Sequence, residues 1–185
     1  MAAKEQYLKY FKHSVESRLE RLARTPDEIA EAIRGLDDEA LSRRPAEKKW
    51  SAKEVVCHLR DEEEQCIIRF QTMLAMDDPK LLLLGDMPDD PAEWGIREGD
   101  GFPLDPDRWA EERQYLRNDG GLALAAFAKR RRETLAFLER IGPEQWKRGS
   151  ITKHGRLTFG DWIAIIAAHD DIHLDQLRRA LEGRA

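Results

Sequence analysis

Four stretches of this chain carry their own helix start signals, and that punctuation constrains the fold more than any other feature. Thr25-Pro26-Asp27-Glu28 offers an N-cap, a proline at the first helical position and a capping-box acid. Ser51 with Glu54 and Thr158 with Asp161 have the reciprocal capping pattern, and Asn118 or Asp119 can cap a further helix that Gly142-Pro143 stops. Alternating β-branched runs and hairpin dipeptides such as Asn-Gly are nearly absent, so an all-α chain is expected. The expected helices cover 5–23, 25 to Gly35, 52–76, Asp105 through Tyr115, 119–141 and 158–183. Pro79, Pro88 and Pro91, with Gly85, Gly95, Gly99 and Gly101, break the segment from Asp77 to Phe102. That segment is expected to be irregular and is a candidate lid. The implied architecture is a four-helix bundle with one long irregular connection between its second and third helices. Residues 1–24 are expected as a helical extension packing on the bundle, and 185 residues fit one domain.

Charge narrows the partners. Lys and Arg number 31 against 36 Asp and Glu, for a net charge of -5, which argues against nucleic acid as a partner. A composition 41% hydrophobic and 36% charged suits a soluble protein whose helices each keep a wet face. The N-terminal MAAKEQYLKYFKHSV has no apolar signal core, and the longest apolar run, Trp162 to Ala168, falls far short of the ~20 residues needed to span a bilayer. No membrane association is expected. Cys57 and Cys66 form neither a CxxC pair nor a disulfide framework and read as reduced thiols of a cytoplasmic protein.

The chemistry gathers on the last helix. His169 and His173 are one turn apart, about 40° around the axis, and both fall within the arc of Trp162, Ile165, Ile166, Ile172 and Leu177. A single histidine on an apolar face is usually a satisfied core residue. Two at this spacing can reach one metal ion. A third ligand should come from another helix; His58 is the best candidate, because His13 precedes the bundle and His154 lies in a connection. The apolar arc around His58 is interrupted by Glu62 and Glu63, whose burial as bare charges would be costly. A cation, a metal-bound histidine N–H or Arg131, on the apolar side of the third bundle helix, can compensate them; outward snorkelling is the alternative.

These residues resemble a known family. Trp50-Ser51 followed by Glu54-Val55 and HLRDEE, then Trp109, Arg131, GRLT and the closing HDDIHLDQL, are similar to the DinB-like (YfiT-like) metal-binding four-helix bundles, over most of the chain. The resemblance implies a divalent metal, nickel or zinc, on His58, His169 and His173, and a possible homodimer. It also implies a small-molecule substrate, since related activities include transfer of low-molecular-weight thiols such as bacillithiol or mycothiol, and thiol-dependent isomerisation. Three imidazoles leave a coordination position open, as in catalytic rather than structural zinc sites.

Within that frame Glu62 is the expected general base. Asp61, Asp170 and Gln176 are expected to orient the ligating rings, and Arg131 to contact substrate. His154 can line the mouth but reads better as an exposed loop residue, and Lys129 to Arg132 as a solvated helix face. The leading expectation is a metal-dependent hydrolase or thiol transferase. The alternatives are a noncatalytic small-ligand or stress-responsive binding protein on the same scaffold, and a helical interaction protein docking through a bundle face or the Leu81 to Leu84 patch.

Overall fold

In a computed structural model, residues 8–185 are described. Residues 8–11 are helical, and α1 (Val15–Ala32) follows, capped by the Ser14 hydroxyl on the Ser17 amide. The remaining helices are α2 (Asp38–Ser42), α3 (Ala52–Ala75), α4 (Pro106–Glu112), α5 (Gly120–Leu138) and α6 (Phe159–Leu181). A short antiparallel hairpin, β1 (Gly149–Thr152) with β2 (Gly155–Thr158), precedes α6, pairing Gly149 with Thr158 and Thr152 with Gly155. The four long helices pack as a bundle in which α3 touches α5 and α6, and α1 touches the same two from the other side.

Of the four local caps that start the bundle helices, three are those read from the sequence. Ser51 caps α3 and Thr158 caps α6 in complete capping boxes with Glu54 and Asp161, and the Asp119 carboxylate caps α5 by accepting from Leu122 N–H. The expected start at Thr25-Pro26 does not occur, because α1 runs straight through Pro26. Part of the stretch expected as an extension, from Val15 to Arg24, is therefore the first half of a bundle helix, and residues 1–7 lie outside the described residues. A proline inside a helix leaves the carbonyl four residues earlier without its amide donor. Here that carbonyl, on Leu22, accepts from Arg131 Nη1 at 2.9 Å, so a side chain from α5 repairs the gap.

The hairpin was not expected, and it fastens the long connection. Leu81 N–H donates to the Ile151 carbonyl and Ile151 N–H to that of Pro79, both at 2.9 Å, so Lys80 and Ile151 form a parallel bridge. Arg148 reaches the carbonyls of Met73 and Met76, and Arg156 pairs with Asp78 at 2.8 Å. Apart from a short turn of helix at Pro91–Trp94 the connection is irregular, and Leu81, Leu83 and Leu84 pack against the core.

Two apolar clusters fill the bundle. One gathers Leu22, Cys66, Phe70, Met73, Leu138 and Trp162; the other gathers Ile29, Val55, Leu59, Phe127, Leu174 and Leu177. Along α3 and α6 the first is built from residues 66–73 and 159–168, the second from 52–59 and 174–177. His58, Glu62, Glu63, His169, Asp170 and His173 fall at the boundary on those same helices, with Thr25 and Arg131 at the matching depth of α1 and α5. Polar chemistry thus occupies one layer between two apolar halves.

Candidate metal centre

Helix periodicity splits this layer into two groups. Consecutive residues point about 100° apart, so His169 faces the seam between α6 and α3 while Asp170 faces the bundle axis. Glu62 and Glu63 divide in the same manner.

At the seam the three histidines converge. His58 Nε2 lies 3.2 Å from His169 Nε2 and 3.1 Å from His173 Nε2, and one nitrogen of each ring falls within 4.8 Å of the others. Two ligands each ~2.0–2.1 Å from a tetrahedral zinc ion stand about 3.3 Å apart, so the spacing suits a shared cation. His58 is buried, and its Nδ1 has no hydrogen-bond partner, so the polar capacity of this ring is met only at Nε2. His173 Nδ1 pairs with Gln176 Oε1 at 2.7 Å; as the carbonyl oxygen can only accept, Nδ1 donates and the lone pair sits on Nε2. Trp50, just before the cap of α3, packs its indole 4.9 Å from the His58 ring and is stacked with His173 at 6.4 Å.

Electrostatics keep these rings neutral. Burial, followed by the neighbouring His173, pushes His58 well below the ordinary histidine value. Burial does the same to His169, reinforced by His173 and His58. For His173 burial lowers the value to about 4 against the opposing pull of Gln176 and Asp170. Neutral imidazoles with converging lone pairs are a donor set for a divalent cation.

Glu62 is one turn beyond His58 on α3. Its Oε1 accepts from Arg69 Nη1 at 2.6 Å, while Oε2 is buried with no partner. Burial raises its pKa, opposed by Arg69. Sequence reading missed Arg69, which is buried, donates to the Leu82 carbonyl of the long connection and lies over the Trp162 ring at 5.1 Å. Its position seven residues after Glu62 was the available signal, since that spacing returns to the same helix face.

Deeper in the bundle lies the second group. Arg131, 2% exposed, donates from Nε to Glu63 at 2.8 Å, from Nη1 to Asp170 at 2.6 Å, and from Nη2 to Asp170 at 3.1 Å. Thr25 completes the group by donating to Asp170 at 2.5 Å, so all four bundle helices contribute. Burial alone would lower the Arg131 pKa, but Asp170 and Glu63 outweigh it and hold the guanidinium charged. The residue expected to contact substrate is thus enclosed by Glu63, Asp170 and the Leu22 carbonyl. Asp170 is bonded to Arg131 and Thr25, with no hydrogen bond to a histidine among the described residues.

Asp61 is also placed elsewhere. Its carboxylate accepts from Tyr115 Oη at 2.9 Å, Arg60 Nε at 2.7 Å and Arg113 Nη1 at 2.8 Å, with no hydrogen bond to a histidine among the described residues. Of the three residues expected to orient the rings, the structure sets only Gln176 against one. His154 is exposed and faces Asp86 at 2.6 Å. Cys57 and Cys66 are free, and burial pushes the Cys57 thiol up to about 11 and Cys66 well above its usual value. Among the described residues, no helix is long and apolar enough to cross a membrane.

Comparison with known proteins fits this geometry. A family model described as the DinB superfamily matches residues 21–177. A solved structure, YfiT from Bacillus subtilis, described as a probable metal-dependent hydrolase with an unusual four-helix bundle topology, superposes with a TM-score of 0.73 at 20% identity. The match covers 94% of this chain and 90% of that one. No curated protein sequence matches significantly.

Proposed function

The chain belongs to the DinB superfamily, and from that premise and the geometry of the seam we propose that it is a metal-dependent enzyme of hydrolase type acting on a small molecule. The observation that carries this reading is the convergence of His58, His169 and His173 Nε2 on one point. These residues would hold a zinc or nickel ion. When bound, such a cation supplies Lewis acidity, by which water or a thiol becomes a competent nucleophile near neutral pH.

The chain's own side chains do the rest. Gln176 holds His173 in the tautomer whose Nε2 faces the site. Trp50 walls one side of the rings. Glu62 acts as the proton acceptor at Oε2: Arg69 occupies Oε1, the second oxygen has no partner, and burial raises its proton affinity. The described relative's hydrolytic assignment favours water as the nucleophile, and a low-molecular-weight thiol is the second nucleophile to screen.

The test is elemental analysis of untagged protein, back-titrated with zinc and nickel, beside His169→Ala and Glu62→Gln. Near-stoichiometric metal in the wild type, its loss in His169→Ala, and Glu62→Gln that keeps metal but hydrolyses activated esters at least ~100-fold more slowly are expected. No tight metal under any loading condition overturns the reading, and unchanged turnover in Glu62→Gln removes Glu62 as the base.

A further inference from the structure

A buried guanidinium needs partners on every side, and where those partners come from decides how firmly it is aimed. Arg69 is 5% exposed, and Glu62 is its ion-pair partner among the described residues. The pair is end-on: Nη1 donates to Glu62 Oε1 at 2.6 Å, Cys66 Sγ donates to the same oxygen at 3.9 Å, and Oε2 has no partner. A side-on guanidinium would occupy both carboxylate oxygens. Whatever holds Arg69 in the end-on pose therefore decides which oxygen of Glu62 stays available.

Two supports hold it, and neither belongs to α3. One is the Trp162 ring of α6, whose centroid lies 5.1 Å from the guanidinium carbon. The other is the Leu82 carbonyl of the long connection, which accepts from Nη2 at 3.4 Å. Both lead back to adjacent residues of β1. Trp162 Nε1 donates to the fully buried Ser150 hydroxyl at 2.9 Å. Ile151 accepts from Leu81 N–H, one residue before Leu82, and donates to the Pro79 carbonyl, both at 2.9 Å. One strand residue thus fixes the ring under Arg69, and the next fixes the segment that carries the carbonyl beside it.

We propose that Arg69 is a positioning residue for the proton acceptor and that the hairpin is the platform on which it is set. Ser150 through Trp162, and Ile151 through the connection, hold the guanidinium so that it engages Oε1 alone and leaves Oε2 of Glu62 for the proton. Such support matters because a misplacement of ~1 Å at a reacting group can cost ~100-fold in rate. The inference rests on the reading of Glu62 as the acceptor, and it gives the hairpin a part in that chemistry from outside the bundle.

Zinc-loaded protein with 4-nitrophenyl acetate is the first probe. Arg69→Met is expected to lower kcat at least ~tenfold with KM and metal content unchanged, and Arg69→Lys to recover part of the loss. In a Glu62→Gln background the same change should cost less than ~twofold, because a residue that acts through Glu62 then has nothing to position. Losses that multiply, or a KM effect with kcat intact, overturn the positioning role. Ser150→Ala leaves Arg69 and Glu62 in place and is expected to lower kcat by about threefold or more, which keeps the test open if Arg69→Met does not fold. A readout independent of turnover is the ¹⁵N spectrum of the Arg69 guanidinium in the full chain stripped of metal, assigned by its loss in Arg69→Lys. Separate Nη signals, the mark of blocked rotation, are expected in the wild type and should merge in Ser150→Ala; identical spectra overturn the hairpin's part. Absence of metal and turnover in the wild type overturns the enzyme reading and the positioning role with it, whereas multiplying losses or identical spectra in an active protein overturn this inference alone.

Discussion

Two sets of buried polar groups share one layer of this bundle, a few ångströms of helix apart, and they are finished to different degrees. On the axis, Arg131 spends every guanidinium nitrogen on Glu63, Asp170 or the Leu22 carbonyl, and Thr25 closes the set; only Glu63 Oε1 is left without a partner. At the seam, three imidazole Nε2 atoms converge, His58 Nδ1 has no partner, and neither has Glu62 Oε2. Buried polar groups normally find partners, because an unmade hydrogen bond costs more than a made one contributes. The set closed around a charged guanidinium reads as architecture, and the set of three converging neutral imidazoles as a donor set for a cation. Adjacent residues in the sequence, Glu62 beside Glu63 and His169 beside Asp170, belong to different sets because a helix turns them apart.

The largest test of that contrast is Arg131→Met. It strands two carboxylates in the core, and removal of one partner from a buried ion pair typically costs ~3–5 kcal/mol. The urea midpoint should fall accordingly, with metal content lost only as the fold is lost. A cost below about 1 kcal/mol would show that the axis set is not architectural.

His173→Ala attacks the other set, with the opposite pattern. Metal affinity, read by competition with a chromogenic chelator, should fall more than ~100-fold while the metal-free protein unfolds at nearly the wild-type urea concentration. Wild-type affinity would count against the coordination set. Gln176→Ala should land lower on the same scale, at ~10 to 100-fold, since it removes the acceptor that fixes the His173 tautomer but leaves all three ligands in place. An unchanged affinity would separate ring orientation from binding.

How much of this could be read from the sequence depended on the distance over which each feature is decided. The caps at Ser51, Asp119 and Thr158 are settled within four residues, and they were legible. So was the spacing of His169 and His173, because one helical turn brings them together whatever surrounds them. The Arg131–Glu63 pair was among the compensations the sequence offered, but the bonds of Asp61 to Tyr115 and of Arg131 to Asp170 were not, for the converse reason. Periodicity gives the face of a helix but not the residue across from it, and their partners Tyr115, Glu63 and Asp170 lie 39 to 68 positions away. The hairpin escaped because its strands are four residues long, too short for alternation to register, and its turn at Lys153-His154 lacks the usual dipeptides.

Pro26 shows the two scales in conflict, and the smallest predicted effect concerns it. Thr25-Pro26-Asp27-Glu28 has the local form of a helix start, yet α1 continues through it because Arg131, 109 positions from Leu22, satisfies the carbonyl the proline abandons. An interior proline ordinarily costs ~3 kcal/mol relative to alanine, so Pro26→Ala would ordinarily stabilise the protein by about that much. Here the carbonyl is already bonded, and a restored amide must share it with Arg131. The substitution also frees the unfolded chain, which offsets ~0.4–1 kcal/mol. The expected gain is below about 1 kcal/mol in urea unfolding. A gain near 3 kcal/mol would mean that the Arg131 contact does not compensate the proline, and the axis set would lose its claim to be what carries α1 through the break.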